Sequence, residues 1–292
     1  MFHAVLRLSA LLLLVQTPLV AQAQWFGEVT MEGLFTDNLP RAQQSSDKFD
    51  DTGLSASAVG GHHWQPGIYT GVIVGASVAR RQFVQHSGMS NSELGIASSI
   101  NHKFGLGDRV SVLTVAADLS RATFNNDIRD AWNRGISITL GKRITDTLSL
   151  NASVGHTTSD AEHDIPKPTT GKPGNAWDQR SWNLALYSEL ELSAVSWLSA
   201  RYDFRSGDIV STGLPYGLIA GASKAITLDT VFGPHAVAYR IDARTHGIAV
   251  DYNRVMGEAG TVYIGIEQQE TRGTSDIDYG VTIIRTGLIY SF

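Results

Sequence analysis

Arg201, Asp203 and Arg205 occupy alternate positions in a stretch where Leu198, Ala200, Tyr202 and Phe204 fill the places between and before them. Successive side chains of a β-strand project to opposite faces, so this stretch puts three full charges on one face and apolar groups on the other. Two uses suit such a face. It can be the wall of a polar conduit, where acidic and basic groups select a small hydrophilic solute. Alternatively its charges pair with one another in a filled interior, because a buried charge persists only when matched. The same alternation puts Asp118 opposite the face of Ala117 and Leu119, and Glu189 and Glu191 opposite that of Leu190 and Leu192. With Glu267 and Arg285 these make eight candidate lumen and selectivity residues: Asp118, Glu189, Glu191, Arg201, Asp203, Arg205, Glu267 and Arg285. Arg240, Asp242 and Arg244 join the candidates only if the phase of their strand is settled, since Tyr239, Ile241 and Ala243 require one phase and Ile248, Val250 and Tyr252 the other. A bulge near Thr245–Gly247 is expected to reconcile them.

Catalytic and metal chemistry has less to stand on. His86-Ser87 and His156 with Ser159 offer a base near a hydroxyl, and Asp276 and Asp278 with Glu162, His163 and Asp164 offer carboxylates near an imidazole. Each match is short and sits in an expected loop, so no catalytic residue is assigned and activity is left open. Asp37, Asp47, Asp50 and Asp51 could join Asp276 and Asp278 as oxygen ligands for calcium. Their spacing lacks a calcium-loop pattern, so a solvated acidic rim is expected. His62 and His63 are adjacent, point to opposite faces of a regular strand and cannot chelate one ion. The chain has no cysteine, which excludes disulfides and thiolate metal sites; no metal and no cofactor is expected. The formal charge of −5 comes without a clustered basic excess, so no nucleic-acid partner is expected either.

The elements that would position these residues follow from the ends, the composition and the period. Residues 1–23 have one positive charge at Arg7, a leucine-rich core and Ala21-Gln22-Ala23, the pattern of a secretory signal with a cut after Ala23. The remainder, 24–292, is expected to be one domain, and nowhere in it is there the ~20-residue apolar run of a spanning helix. Its glycine content (29 in the chain) and the absence of helical runs point to many short strands. Thr70, Val72, Val74, Ala76 and Val78 oppose Gly71, Gly75, Ser77 and Ala79; Ile136, Ile138 and Leu140 oppose Gly135, Ser137 and Thr139; Leu184 and Leu186 oppose Asn183 and Tyr187. Turn-forming residues at 64–67, 105–108, 143–146, 193–196 and 256–260 alternate with longer polar loops near 36–52, 84–90, 123–129, 157–178, 206–238 and 271–277. These links define twelve strands with both termini on the short-turn side. Aromatics mark both ends: Trp25, Trp64, Phe104, Trp197, Tyr290 and Phe292 at the short turns, and Phe35, Phe83, Phe124, Trp132, Trp177 and Tyr279 near the long loops.

An even number of antiparallel strands, short turns on one side, long loops on the other and aromatic girdles are what an outer-membrane barrel requires. The mature chain resembles the general class of small Gram-negative outer-membrane β-barrels, porin-like in build. Its ending, with Tyr290 and terminal Phe292, resembles the signal read by the barrel-insertion machinery. The resemblance implies an all-β transmembrane barrel in the outer membrane with both termini periplasmic, and outer-membrane lipids and lipopolysaccharide as neighbours. Arg80 and Arg134, outward by parity and near the outer rim, could meet lipopolysaccharide phosphates. The function expected is a channel for small polar solutes, with the apolar 206–238 loop folding into the lumen or forming a short hairpin. The alternatives are an outer-leaflet enzyme acting on lipid or lipopolysaccharide, and a plugged barrel that binds a partner. Neither His86-Ser87 nor His156–Ser159 resembles the motif of outer-membrane phospholipases; the Asp and His residues of the loops are a loose analogue of the omptin proteases. The twelve-stranded lipid A deacylases share the expected size.

Overall fold

The computed structural model describes residues 24–163, 172 and 174–292; the expected signal segment 1–23 and Asp164 lie outside them. Thirteen strands form in chain order: β1 (Gln24–Thr36), β2 (Asp51–Gly67), β3 (Thr70–Phe83), β4 (Asn91–Lys103), β5 (Val112–Phe124), β6 (Ala131–Arg143), β7 (Leu148–Ala161), β8 (Gln179–Ser193), β9 (Ser196–Gly213), β10 (Ala225–Leu228), β11 (Val237–Met256), β12 (Gly260–Gly273) and β13 (Asp278–Ser291). All pair antiparallel with their neighbours, and β9 pairs with β11 rather than with the short β10. The ring of twelve closes where β1 meets β13, from Glu28↔Ser291 to Thr36↔Ile283. Closure leaves no unpaired sheet edge among the twelve, the condition for a strand structure surrounded by lipid.

The terminus is held by this seam. Phe292 and Gly27 exchange backbone hydrogen bonds of 2.9 Å in both directions. The Phe292 ring lies where a side chain on Gly27 would stand, so glycine is what admits the ring there.

Period two decides the two faces. Leu94, Ile96 and Ile100 on β4, Ile136, Ile138 and Leu140 on β6, Leu184 and Leu186 on β8, and Ile264 and Ile266 on β12 are all exposed on the exterior. Their alternates face inward. On β3 to β7 these are small: a side chain added at Gly95 would meet Ser77 Oγ at 2.9 Å and Ser120 Cβ at 3.1 Å, which puts the three in one inner row.

The expected bulge in β11 is absent. Register runs unbroken from Val237↔Gly213 to Arg254↔Ser196 on one side and from Ala243↔Gly273 to Met256↔Gly260 on the other. Tyr239, Ile241 and Ala243 therefore point inward in the phase of Asp251, where they are buried with Ile209, Ile277, Tyr279 and Val281 under Ile219 and Ile226. Inward apolar residues are covered by loop, while Ile248, Val250 and Tyr252 are exposed outside. Asp242 and Arg244 are consequently exterior, and Asp242 accepts from Lys224 Nζ.

Other boundaries move as well. The first turn is at 68–69, with a register shift between Trp64 and Gly67 rather than a turn there. Residues Ser206–Gly213 belong to β9, because pairing with β11 continues above the barrel rim. The short-turn aromatics Trp25, Trp64, Phe104, Tyr290 and Phe292 are exposed as expected. The outer girdle is thinner than expected: Phe35 and Trp132 are exposed, whereas Tyr279 and Trp177 are buried and Phe83 and Phe124 line an interior cavity.

Candidate functional site: the lumen and its cap

Strand register brings most of the candidate charges together on one wall. Arg285 of β13 makes a two-pronged contact with Asp251 of β11, Nε to Oδ1 and Nη2 to Oδ2 both at 2.8 Å. Its Nη1 reaches Glu267 Oε2 at 3.4 Å. Glu267 also accepts from Arg201 Nη2 at 3.1 Å and from Gln269 Nε2 at 2.6 Å, and Arg201 donates through Nε to Asp203. Asp203, Arg201, Glu267, Arg285 and Asp251 thus form a continuous ionic chain across β9, β11, β12 and β13. Arg205 donates to the Asp208 carbonyl at 2.6 Å and to Gln179 Oε1 at 3.3 Å.

The remaining candidates stand apart. Tyr187 donates to Glu189 at 2.6 Å, and Glu191 meets Arg143 at 3.0 Å at the short-turn rim. Asp118 lies on the opposite wall with its carboxylate over Gly135, where an added side chain would come within 2.4 Å of Oδ1. Ser120, two residues on, donates to Glu93 Oε1 at 2.6 Å. Asp251, whose face a divided phase of β11 leaves unassigned in the sequence, is placed inward by unbroken alternation through Thr245 and Gly247.

Two segments close the outer mouth. The β1–β2 loop folds inward across β11 and β12. Asn38 Nδ2 donates to the Gly280 carbonyl of β13 at 3.0 Å, while Ser211 Oγ and Thr212 N of β9 donate to the Arg41 and Pro40 carbonyls at 2.8 and 2.9 Å. Asn38 also brackets Ala42 through both side-chain atoms, and Arg41 takes a left-handed φ of 58°. That turn aims the Arg41 side chain at the lumen, where it lines the cavity beside Arg205.

The second segment runs between β9 and β11. It forms a short helix α1 (Gly217–Ala222), then β10 and a turn at Thr230–Phe232. The lumen-directed form of this loop is present; the hairpin expected around Gly221–Lys224 is not, because Gly217–Ala222 is helical and the short strand Ala225–Leu228 instead pairs with Val237–Arg240 across a reversal at 229–236. Asp229, fully buried, accepts from Thr212 Oγ1 at 2.9 Å and from Arg129 of the β5–β6 loop. The Arg129 guanidinium rests 4.0 Å from the Trp177 ring centroid, and burial pushes its pKa below the ordinary range although Asp229 opposes the shift. Phe232 stacks on Phe49 and lies tilted against His86 of the β3–β4 loop. Since β3 to β6 lie across the ring from β9 and β11, this segment spans the mouth as a cap.

Below the cap is a cavity of about 360 Å³, extending from Arg129, Trp177 and Phe232 past Phe83 and Phe124 to Asp118, Ser137, Asp203 and Arg285. That volume lies within the range of small-molecule sites. The ionic chain occupies the opposite side, so the lumen is filled on one flank and hollow on the other.

The whole barrel superposes on an outer membrane channel from Pseudomonas putida F1 with a TM-score of 0.57 at 12% identity, over 94% of this chain and 97% of that one. The fold is that of outer-membrane channels. Also similar are the KdgM porin in complex with disordered oligogalacturonate (TM-score 0.48, 11% identity, 91% and 99% of the two chains) and the NanC porin (0.47, 12%, 90% and 98%). No protein-family model and no curated protein sequence matches the chain.

The metal reading finds no assembled site among the described residues. Among the described residues no group of three or more His, Asp or Glu side chains is placed to hold a metal ion. The acids read as a rim serve as loop anchors: Asp37 accepts from Thr282 N at 2.7 Å and Asp47 from Leu214 N at 2.8 Å. Asp51 accepts from the backbone of Val84, Gln85 and His86 and from His86 Nδ1 at 2.9 Å. Burial alone would raise the Asp51 pKa; these hydrogen bonds outweigh it and hold the carboxyl below its ordinary range. Ser159 is buried on the inner face with no partner for its hydroxyl, and no hydrogen bond joins it to His163 or Asp276. His62 lies between Trp25 and Trp64, consistent with an interfacial histidine.

Proposed function

We propose that the protein is an outer-membrane channel for small polar solutes, with passage along the β3–β8 flank of the lumen beneath a cap of extracellular loops. One observation carries this reading: a cavity of about 360 Å³, walled by apolar side chains beneath the cap and by small and polar inner-row residues below them, runs from the capped mouth to the mid-barrel charges. Asp118, Asp203, Arg205 and Arg285 face that cavity and set its selectivity. Arg201 and Glu267 hold the ionic wall behind it, and Glu189 and Glu191 stand nearer the periplasmic exit. Residues 1–23 direct export and are removed, Tyr290 and Phe292 are read by the insertion machinery, and both termini are periplasmic. Arg80 and Arg134, outward near the outer rim, face lipopolysaccharide.

The paired charges and the covered mouth favour a second reading, a plugged barrel that binds a partner. Planar-bilayer current separates the two. The channel reading expects discrete steps from the refolded protein, larger when residues 215–235 are replaced by a short Gly/Ser link. Silence from both proteins, each shown folded by its resistance to unfolding in cold detergent, refutes it.

A further inference from the structure

Not every lumen charge belongs to the ionic chain. The ionic chain from Asp203 to Asp251 is matched throughout. Arg41 makes no side-chain hydrogen bond or ion pair among the described residues, and it stands close enough to Arg205 for the two cations to repel. Asp118 likewise has no hydrogen-bond or ion-pair partner among the described residues, and its nearest charged neighbour is another carboxylate, Glu93. The cationic pair is on the β9 side, where Ser211 and Thr212 anchor the Arg41 turn. The anionic pair is on β4 and β5, five and four strands from β9 around the ring. Both pairs face the same cavity.

Above them the cavity is apolar. Leu34, Phe83, Phe124 and Ile283 project inward in the outer part of the barrel, and Met89 and Phe232 descend from the loops. Gly53 lies beneath two of these: a Cβ there would lie 3.3 Å from both Leu34 Cγ and Phe83 Cδ1, so glycine lets the two side chains close over it as one apolar wall between β1 and β3.

An anion entering this space gains Arg41 but meets Asp118 and Glu93; a cation meets the reverse. Like charges brought together without a counter-charge are costly in a confined lumen. A molecule with both signs answers both pairs, and the apolar wall of Leu34 and Phe83 accepts its apolar part. We infer that the solute is a zwitterion with an apolar body, its carboxylate toward Arg41 and Arg205, its ammonium toward Asp118 and Glu93, and its hydrocarbon part against Leu34 and Phe83. This inference rests on the channel reading.

The test is block of potassium chloride current by three molecules of one shape: para-(aminomethyl)benzoate, para-toluate and para-methylbenzylammonium. The zwitterion is expected to half-block at a concentration about tenfold lower than either singly charged analogue, a difference one charge-assisted contact can supply. Glycine, a zwitterion without the body, should block far less. Arg41→Gln and Asp118→Asn should each erase the tenfold preference, and Arg41→Lys should restore part of it; Arg41 is in a loop, so its exchange leaves the barrel ladder intact. Equal block by para-toluate, no block by any probe, or a preference unchanged in both variants overturns the zwitterion reading while current persists. Absence of potassium chloride current overturns the channel reading instead.

Discussion

Replacing Arg285 by methionine tests whether the ionic flank of the lumen holds the barrel together. Arg285 supplies two 2.8 Å hydrogen bonds to Asp251 and a longer contact to Glu267, and its side chain is only 8% exposed. Glu267 keeps Arg201 and Gln269 after the exchange; Asp251 loses its charge partner. Breaking one side of a buried ion pair costs roughly 3–5 kcal/mol, because the abandoned charge keeps its desolvation penalty. Asp251 is 17% exposed and recovers some hydration, so the low end of that range, about 3 kcal/mol, is expected. This is roughly a hundredfold shift in the folding equilibrium. Urea titration of the refolded barrel in detergent micelles, followed by tryptophan fluorescence, reads it as a lower midpoint at constant slope. Adding Asp251→Asn to the same chain should return a good part of the loss, since the abandoned charge is then gone. A loss below about 1 kcal/mol, typical of exposed pairs, would refute the reasoning and make the chain a hydrated lining.

The cap gives a second prediction: Asp229→Asn should weaken its tie to Arg129 across the mouth and raise mean channel current, with an Arg129→Gln chain behaving alike if the pair is the latch. Gly53→Leu should force Leu34 and Phe83 off the inner wall, since a Cβ there already lies 3.3 Å from each, and should lower the urea midpoint of the refolded barrel. Asp51 has a depressed pKa in the folded protein, so its contribution to the 84–86 loop is present above its ordinary value of 3.8 and is lost as pH falls through the lower, folded value. Protease nicking near residues 84–90 should therefore begin only in strongly acid solution, and Asp51→Asn should show it at neutral pH.

Which parts of this molecule were legible in its sequence follows from what each face touches. Strands such as β4 and β6 alternate cleanly because lipid lies outside and small or polar groups inside, and that contrast survives as period two. In β11 the contrast fails at Tyr239, Ile241 and Ala243. An apolar side chain covered by an inward loop is indistinguishable, by type, from one facing lipid, and a bulge was the only local way to reconcile the phases. Phe83 and Phe124 were taken for girdle residues for the same reason. Arg201 and Asp203 could be paired from their i, i+2 spacing on one face; Arg285 with Asp251 could not, because that contact depends on the register of β11 against β12 and β13. The inward course of 37–50 left no periodic trace at all. Its signal is turn chemistry at Asn38-Leu39-Pro40-Arg41, which says that the chain bends but not toward which side of the rim.

The separation of a charge-linked flank from a hollow one means that the barrel's axis and the solute's route need not coincide. Strands β9 and β11 to β13 act as a spine whose side chains are committed to one another. Strands β3 to β8 present many serine, glycine and alanine residues inward, among them Gly75, Ser77, Gly95, Ser120 and Ser137, whose exchange alters space and polarity without touching the ionic chain. Changes in the shape and polarity of the hollow can accumulate on that second flank while the spine keeps the cylinder shut, so what the lumen admits and what keeps the barrel standing can be altered independently.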